Sequence, residues 1–321
     1  MSADLQARAE QAVEMLKGAG ADDAWATATQ SRDVEFNYRD GALEKVKDTT
    51  SRSLAINVFA KGRYSSHQTT DLNPDRLGDF LAEAVAITGA LEPDPQRLIT
   101  PSDLFAGRPE VNLDLVDNQV AMLDRDQRLA WCEVLDGKAR QHERVISATS
   151  AVYDGTQTQA SVSSNGFSGT QESTYCWLGA NVTLSDRGDR RAADGFFAGS
   201  PHVDDVPDAA MVAQTALKRA LVRLDSDKGP TIKSTMVVDS RAAAQLVSRL
   251  MGPAHARNVQ QGRSFWTDIM GQEAFSPLLT IIDDPLIVRG LGSRHYDREG
   301  ISSKVLPIIE NGVVRNIYVD T

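Results

Sequence analysis

The chain has 321 residues, 41% of them hydrophobic and 24% charged, which is typical of a globular protein long enough for two domains. Its formal net charge of −10 argues against direct nucleic-acid binding, because such proteins need a surplus of lysine and arginine on one face. No apolar run approaches the ~20 residues of a membrane span and the N-terminus lacks a signal-peptide pattern, so we expect a cytoplasmic protein with no membrane partner.

The N-terminal part of the chain predicts a helix, a set of antiparallel strands and a second helix. Strands are indicated by alternating apolar and polar residues, and helices by apolar residues three and four positions apart. Lys61-Gly62 is a typical hairpin connection, and Pro74 is a typical first residue of a helix. The predicted elements are a helix at 3–18, strands at 24–28 and 34–38, three further strands between 43 and 70, and a helix from Pro74 to about Thr88.

A connection rich in proline, aspartate and asparagine, residues 91–126, separates this part from a second meander of strands. Within the second meander, Asp154-Gly155 and Asn165-Gly166 are predicted turns. Predicted helices at 126–141 and 207–224 flank its strands. Because a meander closed by a helix occurs twice, the predicted fold class is α+β.

The polar segment 225–231 marks a predicted domain boundary. We therefore expect an N-terminal domain over residues 1–225, which the connection at 91–126 would divide into two meander-helix units. The start of a β-rich C-terminal domain is predicted over residues 226–321. Its predicted strands are 278–282, 303–309 and 313–319, with a hairpin at Glu310-Asn311-Gly312.

The functional interpretation depends on the stretch from residue 234 to residue 272. Met236-Val237-Val238 predicts a short buried strand, and Asp239 is a typical N-cap of the amphipathic helix that follows. A zinc protease would place two histidines and a glutamate on one face of such a helix. Both imidazoles must reach one metal ion, and the carboxylate must activate its water. This helix carries none of the three residues.

Other reactive side chains give weaker signals. Cys132 and Cys176 are interpreted as small packed side chains. His295 lies near Asp297 and Glu299 in sequence and fits either a general base or a polar turn before a strand. The sequence has no GxSxG turn of the kind that a serine hydrolase of the α/β type requires.

Five segments, in the same order along the chain, resemble the TldD/PmbA family. They are residues 43–88, GRSFWTDIMGQ at 262–272, IIDDP at 281–285, DREGI at 297–301 and IIENGVVRNIYV at 308–319. The resemblance implies a cytoplasmic peptidase system whose subunits have an N-terminal α/β domain and a β-rich C-terminal domain and form a dimer around an enclosed cavity. It also implies that unfolded or short peptides are the substrates, and that a zinc-bearing TldD subunit pairs with a PmbA (TldE) subunit.

In the TldD subunit, the motif HExxxH lies on the helix before the segment matched by residues 262–272. Without gaps, its metal-binding and catalytic positions fall on Val247, Ser248 and Gly252, which provide neither a zinc ligand nor a general base. The family's third ligand comes from a later Cys-containing segment, so we expect the sequence to be C-terminally incomplete. The resemblance thus implies a PmbA/TldE-like, non-catalytic subunit with no cofactor of its own, and zinc in a TldD-type partner.

The candidate residues for the cavity wall and for peptide contact are His255, Arg263, Phe265, Asp297 and Glu299. Two other hypotheses remain open: a self-sufficient, homodimeric metallopeptidase, and a peptide-binding protein without turnover. Whether the chain is itself an enzyme stays undecided, because the family consists of metallopeptidases while HExxxH is missing. The expected partner is accordingly a TldD-like subunit in a heterodimer or a second copy of this chain.

Overall fold

The structure, a computed structural model, describes residues 2–319 and consists of two compact units. The first unit contains the residues up to Ser226 together with Ile287–Ser302. The second unit contains Asp227–Leu286 together with the residues from Ser303 onward. We describe each unit separately.

Residues 287–302 belong to the first unit, whereas the sequence analysis placed them in the C-terminal domain. Hydrogen bonds explain the difference. The backbone N–H of Arg289 donates to the carbonyl of Leu113 at 2.8 Å, and Nε2 of His295 donates to the carbonyl of Val111 at 2.7 Å. These contacts join residues far apart in sequence, so no local pattern could have revealed them.

A six-stranded antiparallel sheet forms the first unit, in the order β3-β2-β1-β4-β5-β6. The two predicted meanders are therefore joined through β1 and β4 into one sheet, which confirms the α+β class. In chain order the elements are α1 (Ser2–Gly18), β1 (Asp23–Arg39), β2 (Ala42–Ala60), β3 (Arg63–Thr69), α2 (Pro74–Ala90), α3 (Asn118–Met122), α4 (Arg125–Ala139), β4 (Val145–Ser163), β5 (Ser168–Ser185), β6 (Arg191–Ser200) and α5 (Ala209–Val222).

The strands are longer and fewer than predicted. β1 is one strand instead of the two predicted at 24–28 and 34–38, and residues 43–70 form two strands instead of three. In the polar middle of β1 and β2, the two strands stay paired through contacts between polar side chains. The hydroxyl groups of Ser31 and Ser51 lie 2.9 Å apart, and Arg32 forms an ion pair with Asp48 at 2.8 Å. A polar stretch therefore interrupts the apolar pattern without ending the strand.

The predicted turn at Asp154-Gly155 is wrong, because both residues lie within β4. The carboxylate of Asp154 is buried against Arg128 of α4, which donates to it through Nε and Nη2 at 2.6 and 2.7 Å. Gly155 lacks the Cβ atom that would otherwise lie 2.7 Å from the Tyr175 ring. Both turn-forming residues thus serve packing inside a strand.

The helices α1, α2, α4 and α5 cover one face of the sheet in two hydrophobic clusters. In β1, Ala26 and Ala28 contribute to the cluster with α1 and α2, while Val34 and Phe36 contribute to the cluster with α4 and α5. All four positions are even-numbered, as expected when alternate side chains of a strand point to the same face. The opposite face and the sheet edges are consequently the surfaces on which this unit can present a site.

The second unit is smaller and centres on Trp266, which is fully buried and donates its indole N–H to the carbonyl of Leu250 at 3.1 Å. The predicted hairpin at Asn311-Gly312 is confirmed, with positive φ angles of 49° and 82° as in a type I′ turn. The elements of this unit are α6 (Ser240–Met251), α7 (Ala256–Gln260), β7 (Ile281–Asp283), β8 (Leu306–Glu310) and β9 (Val313–Val314), with a three-stranded sheet in the order β7-β8-β9.

The buried strand predicted at Met236-Val237-Val238 is wrong. Met236 and Val237 are 74% and 90% exposed, and neither belongs to a strand. A strand requires a hydrogen-bonded neighbour, and a three-residue apolar run cannot by itself specify one. The helix after it is confirmed, since Asp239 caps α6 by accepting a hydrogen bond from the N–H of Arg241 at 2.9 Å.

Candidate functional site

Helix α6 and its C-cap contain the three positions at which zinc ligands were expected if the chain were catalytic. Val247 and Ser248 are exposed, and Gly252 follows the helix as its C-cap and donates its N–H to the carbonyl of Ser248. These residues offer an alkyl group, a hydroxyl and no side chain, so they do not fit zinc. Within residues 2–319, no three His, Cys, Asp or Glu side chains converge where a metal ion could be held.

Three of the candidate cavity residues lie in the second unit. His255 is exposed, precedes α7 and stacks beside Tyr318 with the ring centres 5.1 Å apart. Arg263 is exposed and donates its backbone N–H to the carbonyl of Asn258 at 3.0 Å. Phe265 is 57% exposed, which leaves an aromatic surface available for contact. Their role in a cavity wall remains a prediction.

Asp297 and Glu299 lie in the first unit. The carboxylate of Asp297 accepts hydrogen bonds from the backbone N–H groups of Glu299 and Ile301, at 2.9 and 3.0 Å. This is the geometry of an Asx-type turn, so Asp297 shapes the loop before Gly300. His295, whose imidazole donates to the Val111 carbonyl, fits the polar-turn alternative better than that of a general base.

The first unit contains a groove beside β5 that sequence reasoning missed. Its cavity volume is about 600 Å³. One side is the edge of β5 from Thr170 to Thr174, and the other is formed by residues 112–116 and 290–295. Amide, hydroxyl and aromatic side chains dominate the lining, so the groove suits a ligand with many hydrogen-bonding groups.

The groove exists because β6 pairs with only part of β5. The last paired residues are Cys176 of β5 and Ser200 of β6, and Pro201 follows. After Ser200 the chain leaves the ladder, and the N–H of His202 donates to the Ser200 hydroxyl at 3.2 Å. The Pro201 carbonyl accepts a hydrogen bond from the hydroxyl of Thr174 at 2.7 Å, and the remaining edge of β5 is left without β6.

The far wall of the groove is tied down at several points. Arg289 forms ion pairs with Asp114 at 2.6 Å and with Asp205 at 2.9 Å. The hydrogen bond from Arg289 holds the pKa of Asp114 below its ordinary value, so this carboxylate stays charged. Nε2 of His202 donates to the Asp114 carbonyl at 2.9 Å. The wall is thus formed by groups that already have partners.

A row of amides forms part of the floor. Gln157 donates to Gln159 at 3.4 Å, Gln159 donates to Gln171 at 3.2 Å, and Gln171 donates to the carbonyl of Tyr296 at 3.1 Å. Tyr175 donates its hydroxyl to Asp33 at 2.7 Å. These groups favour recognition of polar atoms. The Ser293 hydroxyl donates to the Ile287 carbonyl, the His295 imidazole donates to the Val111 carbonyl, and the Asp114 carboxylate accepts from Arg289.

Within the described residues 2–319, no helix is both long and apolar enough to cross a bilayer. Two family models match the chain. The PmbA/TldA metallopeptidase central domain matches residues 120–224, and the PmbA/TldA metallopeptidase C-terminal domain matches residues 231–321. Together they cover more than half of the chain.

Known proteins support the same grouping. A protein of Escherichia coli O157:H7 named metalloprotease PmbA is 24% identical over 313 residues, which are 97% of this chain and 68% of the relative. A crystal structure from Bacteroides thetaiotaomicron, described as a modulator of DNA gyrase, matches with a TM-score of 0.93 and 27% identity, over 98% of this chain and 71% of that one. The crystal structure of TldE from Thermococcus kodakarensis shares the fold, with a TM-score of 0.80 and 14% identity over 98% of this chain and 70% of that one.

Proposed function

Because this chain belongs to the PmbA/TldD metallopeptidase family, we propose that it is a PmbA/TldE-type subunit that works with a zinc-bearing, TldD-type partner. In this proposal the chain supplies peptide-contacting surface, and the partner supplies the HExxxH motif. The complex would act on unfolded or short peptides in the cytoplasm. Since the chain spans about two thirds of the length of its E. coli relative, the activity of the whole complex belongs to the proposal.

One expectation carries the proposal: read without gaps from the family resemblance, the HExxxH positions fall on Val247, Ser248 and Gly252. A catalytic zinc site of this type needs imidazole or carboxylate ligands and a carboxylate to accept a proton from the bound water. No single substitution restores this set, because all three positions differ. A partner that retains HExxxH is therefore the simplest source of the metal.

The groove supports the peptide-handling part of the proposal. Its amide and hydroxyl groups match the donors and acceptors of a peptide backbone. The same observation favours one alternative, a protein that binds peptides without turnover. The two functions differ in whether peptide is cleaved once the zinc-bearing partner is present.

The test is to mix this protein with a TldD-type subunit and follow cleavage of a fluorescently labelled, unfolded peptide. We expect a stable complex on size-exclusion chromatography, cleavage that a chelator abolishes and zinc restores, and none by this chain alone. The matched control is the same partner with the glutamate of HExxxH replaced by glutamine, which should still associate but not cleave. Failure of the two chains to associate, or cleavage by this chain alone, would contradict the proposal. Tight peptide binding by an inactive complex would favour the binding-only alternative.

A further inference from the structure

We propose that the open edge of β5 at Thr170–Glu172 binds an extended peptide segment as an additional strand of the sheet. The inference rests on the proposed role in peptide handling and goes further, because it names the backbone groups that make the contact. These groups lie in the first unit, whereas α6, to which the proposed function assigns the family's zinc motif, lies in the second unit.

The direction of the backbone groups follows from two hydrogen bonds. The N–H of Thr174 donates to the Leu115 carbonyl at 2.9 Å, on the side of β5 away from β4. At the other end, the carbonyl of Ser168 accepts a hydrogen bond from Nη2 of Arg108 at 3.2 Å. Since backbone groups of alternate residues point to the same side of a strand, the even-numbered residues of this segment point away from β4.

The odd-numbered residues confirm this assignment. The N–H of Ser163 in β4 donates to the carbonyl of Phe167 at 3.0 Å, so Phe167 points towards β4. Gln171 and Ser173 are also odd-numbered, so their backbone groups point towards β4, where they lie opposite Gln159 and Gln157. The N–H and C=O groups of Thr170 and Glu172 are therefore directed into the groove.

These four groups have the arrangement of an unfilled strand site. Thr170 and Glu172 are both exposed, and within residues 2–319 their outward N–H and C=O groups have no backbone partner. The two residues are spaced by about 7 Å, the two-residue repeat of an extended chain. A peptide in extended conformation presents N–H and C=O groups at the same repeat, which is the basis of recognition by strand addition.

The ends of the open edge limit what can bind. Arg108 caps it at Ser168, and Leu115 occupies it at Thr174. Only the segment between them is available, so a bound peptide would pair through a few residues and leave the groove at both ends. A long edge strand of a second protein would need a longer free edge, and the wall at residues 290–295 restricts its approach.

Recognition through backbone groups predicts broad sequence tolerance. The lining offers amides of Gln159 and Gln171 and the aromatic ring of Trp177, which packs against Gly199. An added Cβ at Gly199 would lie 2.1 Å from that ring, so the glycine is what permits this packing. An amide-lined floor accepts polar and apolar side chains alike, as a subunit that handles unfolded peptides requires.

The test uses the purified chain and a fluorescein-labelled heptapeptide of alternating threonine and valine, with binding measured by fluorescence anisotropy. The matched probe carries N-methyl groups on all of its residues, which removes the backbone donors along both edges and preserves the side chains. We expect the unmodified peptide to bind and the N-methylated peptide to bind about tenfold more weakly or not at all, as expected when hydrogen bonds are lost. Equal binding of the two peptides would overturn the proposal.

Two substitutions at one position separate the backbone from the side chain. Glu172→Pro removes the outward N–H and leaves the bonds to β4, because proline is tolerated on the free side of an edge strand. Glu172→Ala keeps the N–H and removes the carboxylate. We expect about a tenfold loss of affinity for the proline variant and a small change for the alanine variant. Thermal unfolding shows whether Glu172→Pro is folded. If the variant is unfolded, the test is hydrogen exchange in the unsubstituted chain. The peptide should then slow exchange at the backbone amides of Thr170 and Glu172.

The outcomes distinguish this inference from the proposed function. A chain that associates with a zinc-bearing partner, but whose Thr170 and Glu172 amides are unaffected by peptide, would overturn the groove assignment and leave the accessory role intact. Concentration-dependent self-association that Glu172→Pro abolishes would assign the edge to a second copy of the chain and overturn the proposal. Peptide binding that depends on the edge would support the groove even if no partner were found.

Discussion

At the scale of single residues, the ion pair between Arg128 and Asp154 is the most deeply buried charge in the described residues. The side chains are 4% and 2% exposed, and the arginine also donates to the carbonyl of Leu123. Removing one member of such a pair leaves the other charge buried without compensation, whereas an exposed pair contributes little. The pair lies between the two hydrophobic clusters and joins α4 to β4.

Arg128→Met should therefore lower the free energy of unfolding by about 3–5 kcal/mol in urea denaturation. The matched control is Arg8→Met, which removes an exposed ion pair with Asp4 and should cost at most about 1 kcal/mol. The double variant Arg128→Met/Asp154→Leu should recover part of the loss, because no unpaired charge remains. Equal effects of the two single variants would contradict the interpretation of the buried pair.

Gly155 permits a close approach that no other residue allows. An added Cβ atom would lie 2.6 Å from the Arg32 carbonyl and 2.7 Å from the Tyr175 ring. Gly155→Ala is expected to lower the free energy of unfolding by about 1–3 kcal/mol, the usual effect of overpacking. Gly137→Ala is the control, because Gly137 lies in α4 with open space around its Cβ position and should gain about 0.5–1 kcal/mol. Thermal or urea unfolding measures the stability of both variants. An unchanged free energy of unfolding for Gly155→Ala would show that the neighbouring strands can shift to accommodate the added methyl group.

Asp136 and Asp186 should give opposite pH dependences of stability. Burial raises the pKa of Asp136 above its ordinary value of 3.8, and Arg140 offsets this only in part. The stability contributed by its protonated form is present below the ordinary pKa and is lost as pH rises through the raised pKa. Asp136→Asn mimics the protonated form, so its stability relative to wild type should increase from acid to neutral pH.

For Asp186 the sign is reversed, because N–H groups of Arg187 and Asp225 donate to its carboxylate at 2.8 and 3.1 Å and lower its pKa. Its stabilising contribution is present above the ordinary pKa of 3.8 and disappears as pH falls through the lowered value. Asp186→Asn should be less stable than wild type at neutral pH, and the difference should vanish in acid. Urea unfolding at several pH values measures both variants, and equal slopes with pH would contradict the assignment.

At the scale of elements, β5 should show alternating protection of its backbone amides in the free protein. The N–H groups of Gln171 and Ser173 point towards β4, while those of Thr170 and Glu172 point into the groove. Hydrogen exchange followed by NMR should therefore be slow at the first two residues and fast at the other two. Uniformly slow exchange would show that the edge already has a partner, and uniformly fast exchange would show that the strand frays at this end.

The sequence predicted the type of most elements and missed how strands continue and meet. The helices at 3–18, 126–141 and 207–224 correspond to α1, α4 and α5, because their apolar periodicity reports the face that packs on the sheet. Strand ends were less predictable. Polar residues such as Ser31 and Ser51, and a glycine such as Gly155, are common in loops. Within a strand they are explained by contacts with the neighbouring strand, which a short stretch of sequence does not reveal.

The same reasoning explains what could be predicted of the candidate site. The absence of zinc ligands at Val247, Ser248 and Gly252 is a local fact of sequence and could be read directly. The groove depends on residues brought together by pairing, such as Thr174 of β5 and Leu115 of a loop, and no spacing rule connects them.

At the scale of the whole molecule, the proposed function assigns peptide contact to this chain and metal chemistry to its partner. The first unit carries the groove for which we propose peptide binding, and the second carries α6, on which the resemblance would place the family's metal-binding motif. Together with family membership, this division favours a complex in which the catalytic metal comes from another chain. The central claim is therefore about where zinc is bound.

The most direct measurement is the zinc stoichiometry by native mass spectrometry of this chain alone, of a TldD-type partner alone and of their complex. The account predicts no zinc on this chain, and one zinc per complex that is lost when the partner's HExxxH motif is altered. One equivalent of zinc held by side chains of this chain in the absence of any partner would contradict the account.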